Sequence, residues 1–203
     1  MPKVKTVIAS PHLGSKWKKI QSDFVELYTT DYKLFQYDVP NCSHLTSLDK
    51  CLKLLSTKST DGDLLVIMDS DAFPIMKWQE RVLDYLKENE FVAVQRLENP
   101  YNPEIAHPCF CAWTFGTEMN FFANEHFNPF VVGWEKRTWK KLCRTNIVNL
   151  HTQLYGIYDK FFYHHGAGSR DVSRQPFFSW GLQRFDDIFI NPHGFINILR
   201  GIK

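Results

Sequence analysis

Hydrophobic positions in the first hundred residues switch repeatedly between strand-like runs and helix-like spacing. Strand-length apolar runs occur at 5–10, 32–39, 63–68 and 91–97. Between them, apolar residues recur every three or four positions, as on one face of a helix: Trp17, Ile20, Phe24 and Leu27, then Leu45, Leu48, Leu52 and Leu55, then Trp78, Val82, Leu83 and Leu86. Strands that alternate with helices predict right-handed crossovers and a largely parallel sheet.

The second half of the chain has a different pattern. Residues 98–108 are rich in proline and asparagine and predict a loop, and the alternation within 110–122 predicts a strand or one arm of a hairpin. The spacing of apolar residues over 150–161 predicts a further helix, although Gly156 weakens it. We therefore expect one α/β domain over residues 1–203, with a mixed, mostly parallel central sheet flanked by helices.

Composition narrows the class of protein. With 203 residues, of which 44% are hydrophobic and 23% charged, the chain is long enough and apolar enough to form a globular core. A formal net charge of +2 gives no strong positive field, which disfavours binding to duplex nucleic acid. Aromatic residues make up 15% of the chain, and many stand in predicted loops, which suggests a cleft suited to sugar rings and nucleobases.

Cysteine usage and the N-terminal segment indicate a compartment. The five cysteines are an odd number without a repeated spacing, which fits a reducing environment better than a disulfide framework. The apolar stretch in MPKVKTVIAS is too short for a signal peptide or a membrane span. We therefore expect a cytoplasmic protein with no membrane anchor. The ending INILRGIK carries no charged tail, which is compatible with a domain cut from a longer chain.

The clearest chemical signal is LLVIMDSDAF, where an apolar run stops at two aspartates. The run predicts a strand buried on both faces, whose end delivers Asp69 and Asp71 to the rim of the sheet, where open α/β sheets bind ligands. Two close carboxylates repel each other unless a cation, a proton or a basic partner offsets their charge. A divalent metal ion is the simplest solution. The alternative is that these aspartates only cap the following turn or helix.

A second signal is FFYHHGAGSR, in which two histidines precede two glycines and an arginine. Backbone N–H groups at Gly166 and Gly168 would approach an anion closely, and Arg170 would bind phosphate oxygens with its guanidinium fork. One of the two histidines, His164 or His165, would complete a metal site begun by the aspartates. The alternative is a strand end followed by a glycine-rich turn, with hydrogen-bonded histidines and an arginine in solvent.

These two motifs resemble those of glycosyltransferases of the GT-A fold, which use nucleotide-diphosphate sugars. In that family a D-x-D ends a strand in mid-domain, and a histidine near the end of the core often joins the metal. The resemblance spans about residues 3–170. It implies that Asp71 binds Mn²⁺ or Mg²⁺ directly, that Asp69 contacts the ribose or the metal through water, and that His165 is a further ligand. The chain is also similar to the N-terminal glycosyltransferase domain of a multidomain enzyme from chlorella viruses, which implies a viral protein in the host cytosol.

The same resemblance implies the remaining parts of a donor site. The end of the first strand, at Ser10, Pro11 and His12, would receive the nucleobase and ribose, and Asp38 would contact the nucleoside; as alternatives, these are ordinary loop and turn residues. Residues 1–100 would form the nucleotide-binding half, and residues 101–203 the acceptor and metal-completing half. The implied reaction is transfer of a hexose or deoxyhexose from a UDP-sugar to a glycan hydroxyl.

The catalytic base is not determined by the sequence. An inverting enzyme needs a carboxylate or imidazole that deprotonates the acceptor hydroxyl. The candidates are His151, Asp159 and Asp171. A retaining enzyme would instead need a group on the other face of the donor sugar.

Three other interpretations remain open. A phosphatase of the haloacid dehalogenase type also carries a D-x-D, with later paired acids such as Asp186 and Asp187, but its motif normally lies in the first strand. A carbohydrate-binding module without catalysis would stack sugars on Trp113, Phe115, Trp134 and Trp180. A zinc site at His107, Cys109, Cys111 and Cys143 lacks the usual C-x-x-C spacing.

Overall fold

The described part of the protein has a central six-stranded sheet, a smaller three-stranded sheet and a two-stranded sheet. The computed structural model describes residues 4–12, 17–39, 43–96, 105–123, 129–145, 156–165 and 186–201. The strands are β1 Thr6–His12, β2 Tyr32–Asp38, β3 Leu64–Met68, β4 Ala72–Pro74, β5 Phe91–Arg96, β6 Ile105–Thr114, β7 Phe121–Ala123, β8 Pro129–Val131, β9 Trp139–Leu142, β10 Gly156–Tyr158 and β11 Phe162–His164.

Helices connect the early strands and close the end of the described chain. They are α1 Lys18–Tyr28, α2 His44–Lys58, α3 Gln79–Tyr85, α4 Asp186–Ile190 and α5 Pro192–Leu199, with a short 3₁₀ turn at Trp134–Lys136. The first three lie where the apolar stripes predict them. Within the described ranges, none of the helices is both long enough and apolar enough to cross a membrane.

The central sheet has the strand order β2-β1-β3-β6-β5-β9. Strand β1 is parallel to β2 and β3, and β5 is parallel to β9. Strand β6 is antiparallel to both of its neighbours, β3 and β5. Three of the five pairings are therefore parallel, so the prediction of a mixed, mostly parallel sheet flanked by helices is confirmed.

Side chains of the buried strands alternate between two apolar layers. Ile8 and Val66 face one layer, which includes residues of α1 and α3, and Val7 and Ile67 face the other, which α2 covers. A strand covered on both faces is apolar throughout, which explains why β3 reads as a continuous hydrophobic run. Strand β3 is thus fixed at the centre of the sheet, and its carboxyl end has a defined position.

Strand β6 begins earlier than predicted, because Ile105 and the next three residues belong to it and not to a loop. The strand contains Pro108, which cannot donate a ladder hydrogen bond. Its register with β5 shifts between Ala93 and Val94, where partners change from Cys111 to His107. A bulge at this position accommodates the proline, and bulges are among the few places where a sheet accepts one.

The predicted helix over 150–161 is wrong where the structure describes it. Residues 156–158 form β10, which pairs antiparallel with β11, and Gly156 has a φ of +142°, outside the helical region. Ile157 and Phe161 are spaced as on one face of a helix, but the same spacing also occurs between a strand and the turn that follows it. Residues 150–155 lie outside the described ranges.

The three-stranded sheet, with order β10-β11-β4, pairs the strand after the D-x-D motif with a hairpin from the second half of the chain. Strand β4 follows Asp71 directly and pairs antiparallel with β11. Its face packs in an apolar cluster with α1 and the C-terminal helices, in which Phe24, Phe73, Tyr163 and Phe195 are buried. This cluster fixes the position of β11 relative to the aspartates.

Candidate metal centre

The aspartates of the D-x-D motif lie in a turn between β3 and β4. The backbone N–H of Asp69 donates to the carbonyl of Cys109 on β6 at 3.0 Å, and the N–H of Ala72 donates to the carbonyl of Asp69 at 3.1 Å. The side chain of Gln21, buried on α1, donates to the carbonyls of Asp69 and Ala72, both at 2.8 Å. The turn is therefore fixed from both sides, as a preformed site requires.

Strand pairing brings His164 to these aspartates. In the β4–β11 ladder, His164 lies opposite Ala72, next to Asp71. The pairing continues past the strand, because the N–H of His165 donates to the carbonyl of Asp71 at 3.0 Å. The backbone thus places a histidine beside the D-x-D turn, although the two lie far apart in sequence.

Three side chains converge here. The Nε2 atom of His164 lies 3.4 Å from an oxygen of Asp71 and 3.6 Å from an oxygen of Asp69. One ligand atom from each of the three residues lies within 4.8 Å of the others. His164 and Asp71 are buried, and the side chain of Asp69 is 15% exposed. Of these three described side chains, that of Asp69 is therefore the one most accessible to solvent.

The donor set and its spacing fit a divalent metal ion. At 3.4 and 3.6 Å these contacts are long for hydrogen bonds, which cluster near about 2.9 Å. Nitrogen and oxygen ligands lie about 2.0–2.2 Å from a transition ion, so neighbouring ligand atoms are about 3–3.5 Å apart. Two carboxylates and an imidazole suit Mn²⁺ or a similar ion, because imidazole favours transition ions over Ca²⁺.

The charges at this centre are strongly coupled. The pKa of His164 is raised well above its ordinary value: burial disfavours the imidazolium, but Cys109 and the Asp71 carboxylate outweigh it. Burial also raises the pKa of the Cys109 thiol, which is therefore uncharged near neutral pH, so we attribute the rise mainly to the carboxylate. Without a metal, an imidazolium offsets the repulsion between the aspartates. A metal ion would displace that proton, because histidine ligates in its neutral form.

The neighbouring His165 lies outside this group of three. Its Nδ1 atom is 2.9 Å from the hydroxyl of Tyr163, and its ring lies 4.6 Å from that of Trp17. Successive side chains of an extended segment point to opposite faces, so only one of two adjacent histidines faces the aspartates. The sequence prediction named His165 as the metal ligand, and the geometry favours His164 in its place.

Sequence reasoning did not identify His44, which also reaches the aspartates. It begins α2 directly after the N-cap Ser43, and its Nε2 atom lies 3.2 Å from an oxygen of Asp69. Burial would lower the pKa of His44, but the carboxylate of Asp69 outweighs burial and raises it. Its side chain is 38% exposed, so it stands at the open side of the centre. No local sequence pattern connects this histidine with the D-x-D motif.

The end of β1 lies beside the D-x-D turn. Ser10, Pro11 and His12 are all buried, and His12 contacts Gln21, whose amide also binds the carbonyl of Asp69. Asp38 lies opposite His12 in the β1–β2 ladder, but its exposed side chain pairs with Lys18 at 2.8 Å.

Gln21 is a second residue that sequence reasoning missed. It interrupts the apolar stripe of α1 between Ile20 and Phe24, and a buried polar residue in such a stripe is the signal that could have identified it.

Of the predicted catalytic bases, the structure describes Asp159 alone. It lies in the turn between β10 and β11, at the opposite end of that hairpin from the ladder position of His164. Its carboxylate accepts a hydrogen bond from the hydroxyl of Tyr85 at 2.6 Å and pairs with Arg81 at 3.3 Å. The structure therefore does not bring Asp159 to the metal centre. His151, Asp171, Gly166, Gly168 and Arg170 lie outside the described residues.

The alternative interpretations find no comparable arrangement among the described residues. Trp113 is 2% exposed, so it offers no face to a sugar, and Trp180 lies outside the described residues. The sulfur of exposed Cys143 contacts Gln95, and among the described residues the candidate zinc ligands do not converge. The D-x-D follows β3, not the first strand, which is unlike a haloacid dehalogenase. Asp186 and Asp187 begin helix α4.

Comparison with known proteins identifies no family. No protein-family model matches the sequence, and no curated protein does. Among solved structures, A197 from STIV matches at 14% identity with a TM-score of 0.40, over 55% of this chain and 65% of that one. A glycosyltransferase involved in the glycosylation of the major capsid of PBCV-1 matches at 12% identity with a TM-score of 0.35, over 55% and 60%. The chain thus spans less than two thirds of either neighbour, and scores this low show no common activity.

Proposed function

We propose that this chain is a metal-dependent glycosyltransferase that moves a hexose or deoxyhexose from a UDP-sugar to a glycan hydroxyl. The observation that carries the proposal is the convergence of Asp69, Asp71 and His164 at the carboxyl end of a central parallel strand. Open α/β sheets bind nucleotides at this edge. A metal held by two acids and an imidazole there is suited to binding a diphosphate.

The proposed reaction breaks one bond to the anomeric carbon of the sugar and forms another. The bond between the anomeric carbon and the diphosphate oxygen breaks, and that oxygen keeps the electron pair. The acceptor oxygen forms the new bond to the anomeric carbon, and its proton passes to a general base, for which His151 and Asp171 remain candidates. A bound Mn²⁺ or Mg²⁺ would supply Lewis-acid stabilisation of the leaving diphosphate.

The protein's own residues have separate tasks in this proposal. Asp71, Asp69 and His164 hold the ion, and the burial of Asp71 and His164 limits water around it. Electrostatic stabilisation of a leaving group is stronger where water is excluded. Ser10, Pro11, His12 and Asp38 bind the nucleoside, while Gly166, Gly168 and Arg170 bind the diphosphate.

We further propose that the fold is of the GT-A type and that the protein acts in the cytoplasm, in the host cytosol for a viral chain. Its partners are then a nucleotide-sugar donor and a glycan acceptor.

A thermal-shift panel tests the proposed function. Nucleotide sugars are added with and without Mn²⁺, and a ligand that binds only the native state raises the apparent melting temperature. We expect UDP-sugars to raise it only when Mn²⁺ is present, and we expect this effect to be lost in Asp71→Ala. If no nucleotide sugar shifts the melting temperature in either condition, the proposal is wrong.

A further inference from the structure

A cavity of about 490 Å³ lies on the side of the central sheet that α2 covers. Its floor is apolar and consists of Leu55, the cross-strand pair Leu65 and Trp113, and Met119, each no more than 6% exposed. Leu65 is the second residue of β3, whereas Asp69 follows the last one. A strand rises about 3.3 Å per residue, so about 13 Å of backbone separates the two. The cavity is therefore distinct from the candidate metal centre.

The rim of the cavity carries hydrogen-bonding groups of several kinds. Asp49 and Lys53 stand one helical turn apart on α2, Asn120 precedes β7, and all three are exposed. A carboxylate accepts hydrogen bonds, an ammonium group donates them, and an amide does both. One negative and one positive charge offset each other, so the rim favours no ion of either sign. The half-buried ring of Phe115 adds an aromatic wall.

A second feature of this region is an exposed aromatic pair on β7 and β8. Phe122 lies opposite Phe130 in the antiparallel ladder, and their ring centroids are 5.7 Å apart. Their neighbours Phe121 and Val131 point inwards and are buried in the core cluster that also includes the floor of the cavity. Phe122 is 56% exposed although the strand is short and could have carried a polar residue there. Clustered apolar side chains on a surface mark an interaction site more often than single ones do.

The aromatic pair adjoins the cavity. The N–H of Val132 donates to the carbonyl of Asn120 at 2.9 Å, so the β7–β8 ladder continues one residue pair beyond the strands. Alternate residues of a strand share a face, so Asn120 lies on the same face as Phe122, about 7 Å away along the backbone. Asn120 also lines the cavity. The polar rim and the aromatic surface are thus parts of one continuous region.

We propose that this cavity and the outer face of β7 and β8 bind a neutral oligosaccharide, at a site separate from the metal centre. A sugar ring presents C–H groups on its faces, which pack on aromatic rings, and hydroxyls at its edge, which bond to carboxylates and amides. An apolar ligand would leave Asp49 and Lys53 unused, and a ligand with a net charge would meet one like charge.

The choice of a glycan as the ligand rests on the proposed function, in which a glycan is the acceptor. The inference deepens that function, because the site holds the glycan chain at a distance from the hydroxyl that reacts. A second contact on the same chain raises the effective concentration of the acceptor at the metal centre.

Neutral tetrasaccharides of glucose, galactose, mannose or xylose test the proposal by saturation-transfer NMR. The solutions contain EDTA and no nucleotide, so the metal centre takes no part. The strongest binder is then titrated by calorimetry, beside a tetrasaccharide of galacturonic acid as an anionic probe. The variants are Phe122→Ala and Asp49→Ala, and the matched control is Leu27→Ala on α1, where the side chain is 55% exposed.

We expect the wild type and Leu27→Ala to bind at least one neutral tetrasaccharide and to bind the anionic one more weakly. Phe122→Ala and Asp49→Ala should each weaken the neutral ligand at least about tenfold, since each removes a main contact of the site. Their melting temperatures should stay close to that of the wild type, because both side chains are exposed.

Backbone amide spectra locate the bound sugar. The sugar should shift the amide resonances of Gly116 and Asn120, which line the cavity, and leave those of Asp69 and His164 in place. Shifts at Asp69 and His164 alone would place the sugar at the metal centre and overturn the inference.

The remaining outcomes separate this inference from the proposed function. If no neutral tetrasaccharide binds, or if binding persists in both Phe122→Ala and Asp49→Ala, the glycan site is refuted, while the thermal-shift panel still decides the proposed function. If the sugar binds here but no nucleotide sugar shifts the melting temperature, the proposed function fails and the glycan site stands. A wild-type dimer that Phe122→Ala separates, without any sugar binding, would show that a second copy of the chain covers this surface and would overturn the inference.

Discussion

Replacing each of the adjacent histidines separately tests the proposed metal centre most directly. Nε2 of His164 lies 3.4 and 3.6 Å from the aspartate oxygens, while His165 contacts Tyr163 and Trp17. We expect His164→Ala to weaken Mn²⁺ binding strongly and His165→Ala to leave it nearly unchanged. The two substitutions remove the same side chain one position apart, so each is the control for the other.

The expected loss of Mn²⁺ affinity follows from the number of candidate ligands. Residues that only orient a metal ligand cost about 10- to 100-fold in affinity when removed. His164 is one of three candidate ligands, so its loss should cost at least about 100-fold, or about 2.7 kcal/mol. His165→Ala removes a buried hydrogen bond and an aromatic contact, and should lower the free energy of unfolding by about 1–3 kcal/mol.

The assay is a titration of the metal-free protein with Mn²⁺, followed by the electron paramagnetic resonance of the free ion. Urea unfolding of each variant shows that the fold persists and gives the cost in stability. The reasoning is refuted if His165→Ala loses the Mn²⁺ affinity and His164→Ala keeps it. It is also refuted if wild-type protein binds no Mn²⁺, since His164 and the aspartates then form only an ion pair.

Four further results are expected. Asp71→Ala should abolish Mn²⁺-dependent turnover of UDP-sugar with an unchanged circular dichroism spectrum, and undiminished turnover would exclude Asp71 as a ligand. Gln21→Leu should lower the free energy of unfolding by about 2–4 kcal/mol in urea, because it removes two buried hydrogen bonds, to the carbonyls of Asp69 and Ala72. EDTA should reduce the stability of protein held at a hundred times the Mn²⁺ dissociation constant by about 2.7 kcal/mol, read as a fall in melting temperature. Since the pKa of His164 is raised, Mn²⁺ should compete with its proton, so affinity should rise with pH and buffers should take up released protons in calorimetry; a pH-independent affinity would contradict this.

The early elements of the fold could be predicted because they follow from local patterning. Helices α1 and α2 carry apolar stripes of several turns, and β3 is apolar throughout because helices cover both faces of the sheet. The start of β6 and the strand β10 were not predictable, since in each the pairing with a neighbouring strand decides the structure. The pairing of one strand with another leaves no apolar period in either segment alone.

In the candidate site too, some residues could be predicted from local sequence and others could not. Asp69 and Asp71 were identified because they end a recognisable strand. The choice between His164 and His165 depends on the register of β11 against β4, because the register decides which of the two side chains lies on the same face as Asp71. His44 reaches the aspartates from another helix, so only the three-dimensional structure reveals it.

The pairing of β11 with β4 makes the candidate ligand set depend on the order of assembly. During synthesis, the aspartates leave the ribosome before the β10–β11 hairpin does. At that stage the nascent chain offers two of the three candidate ligands. The segment between β4 and the β10–β11 hairpin is long, and closing it into a loop costs entropy. Packing of the docked hairpin offsets that cost. A fragment ending before Gly156 should therefore fail to hold the ion.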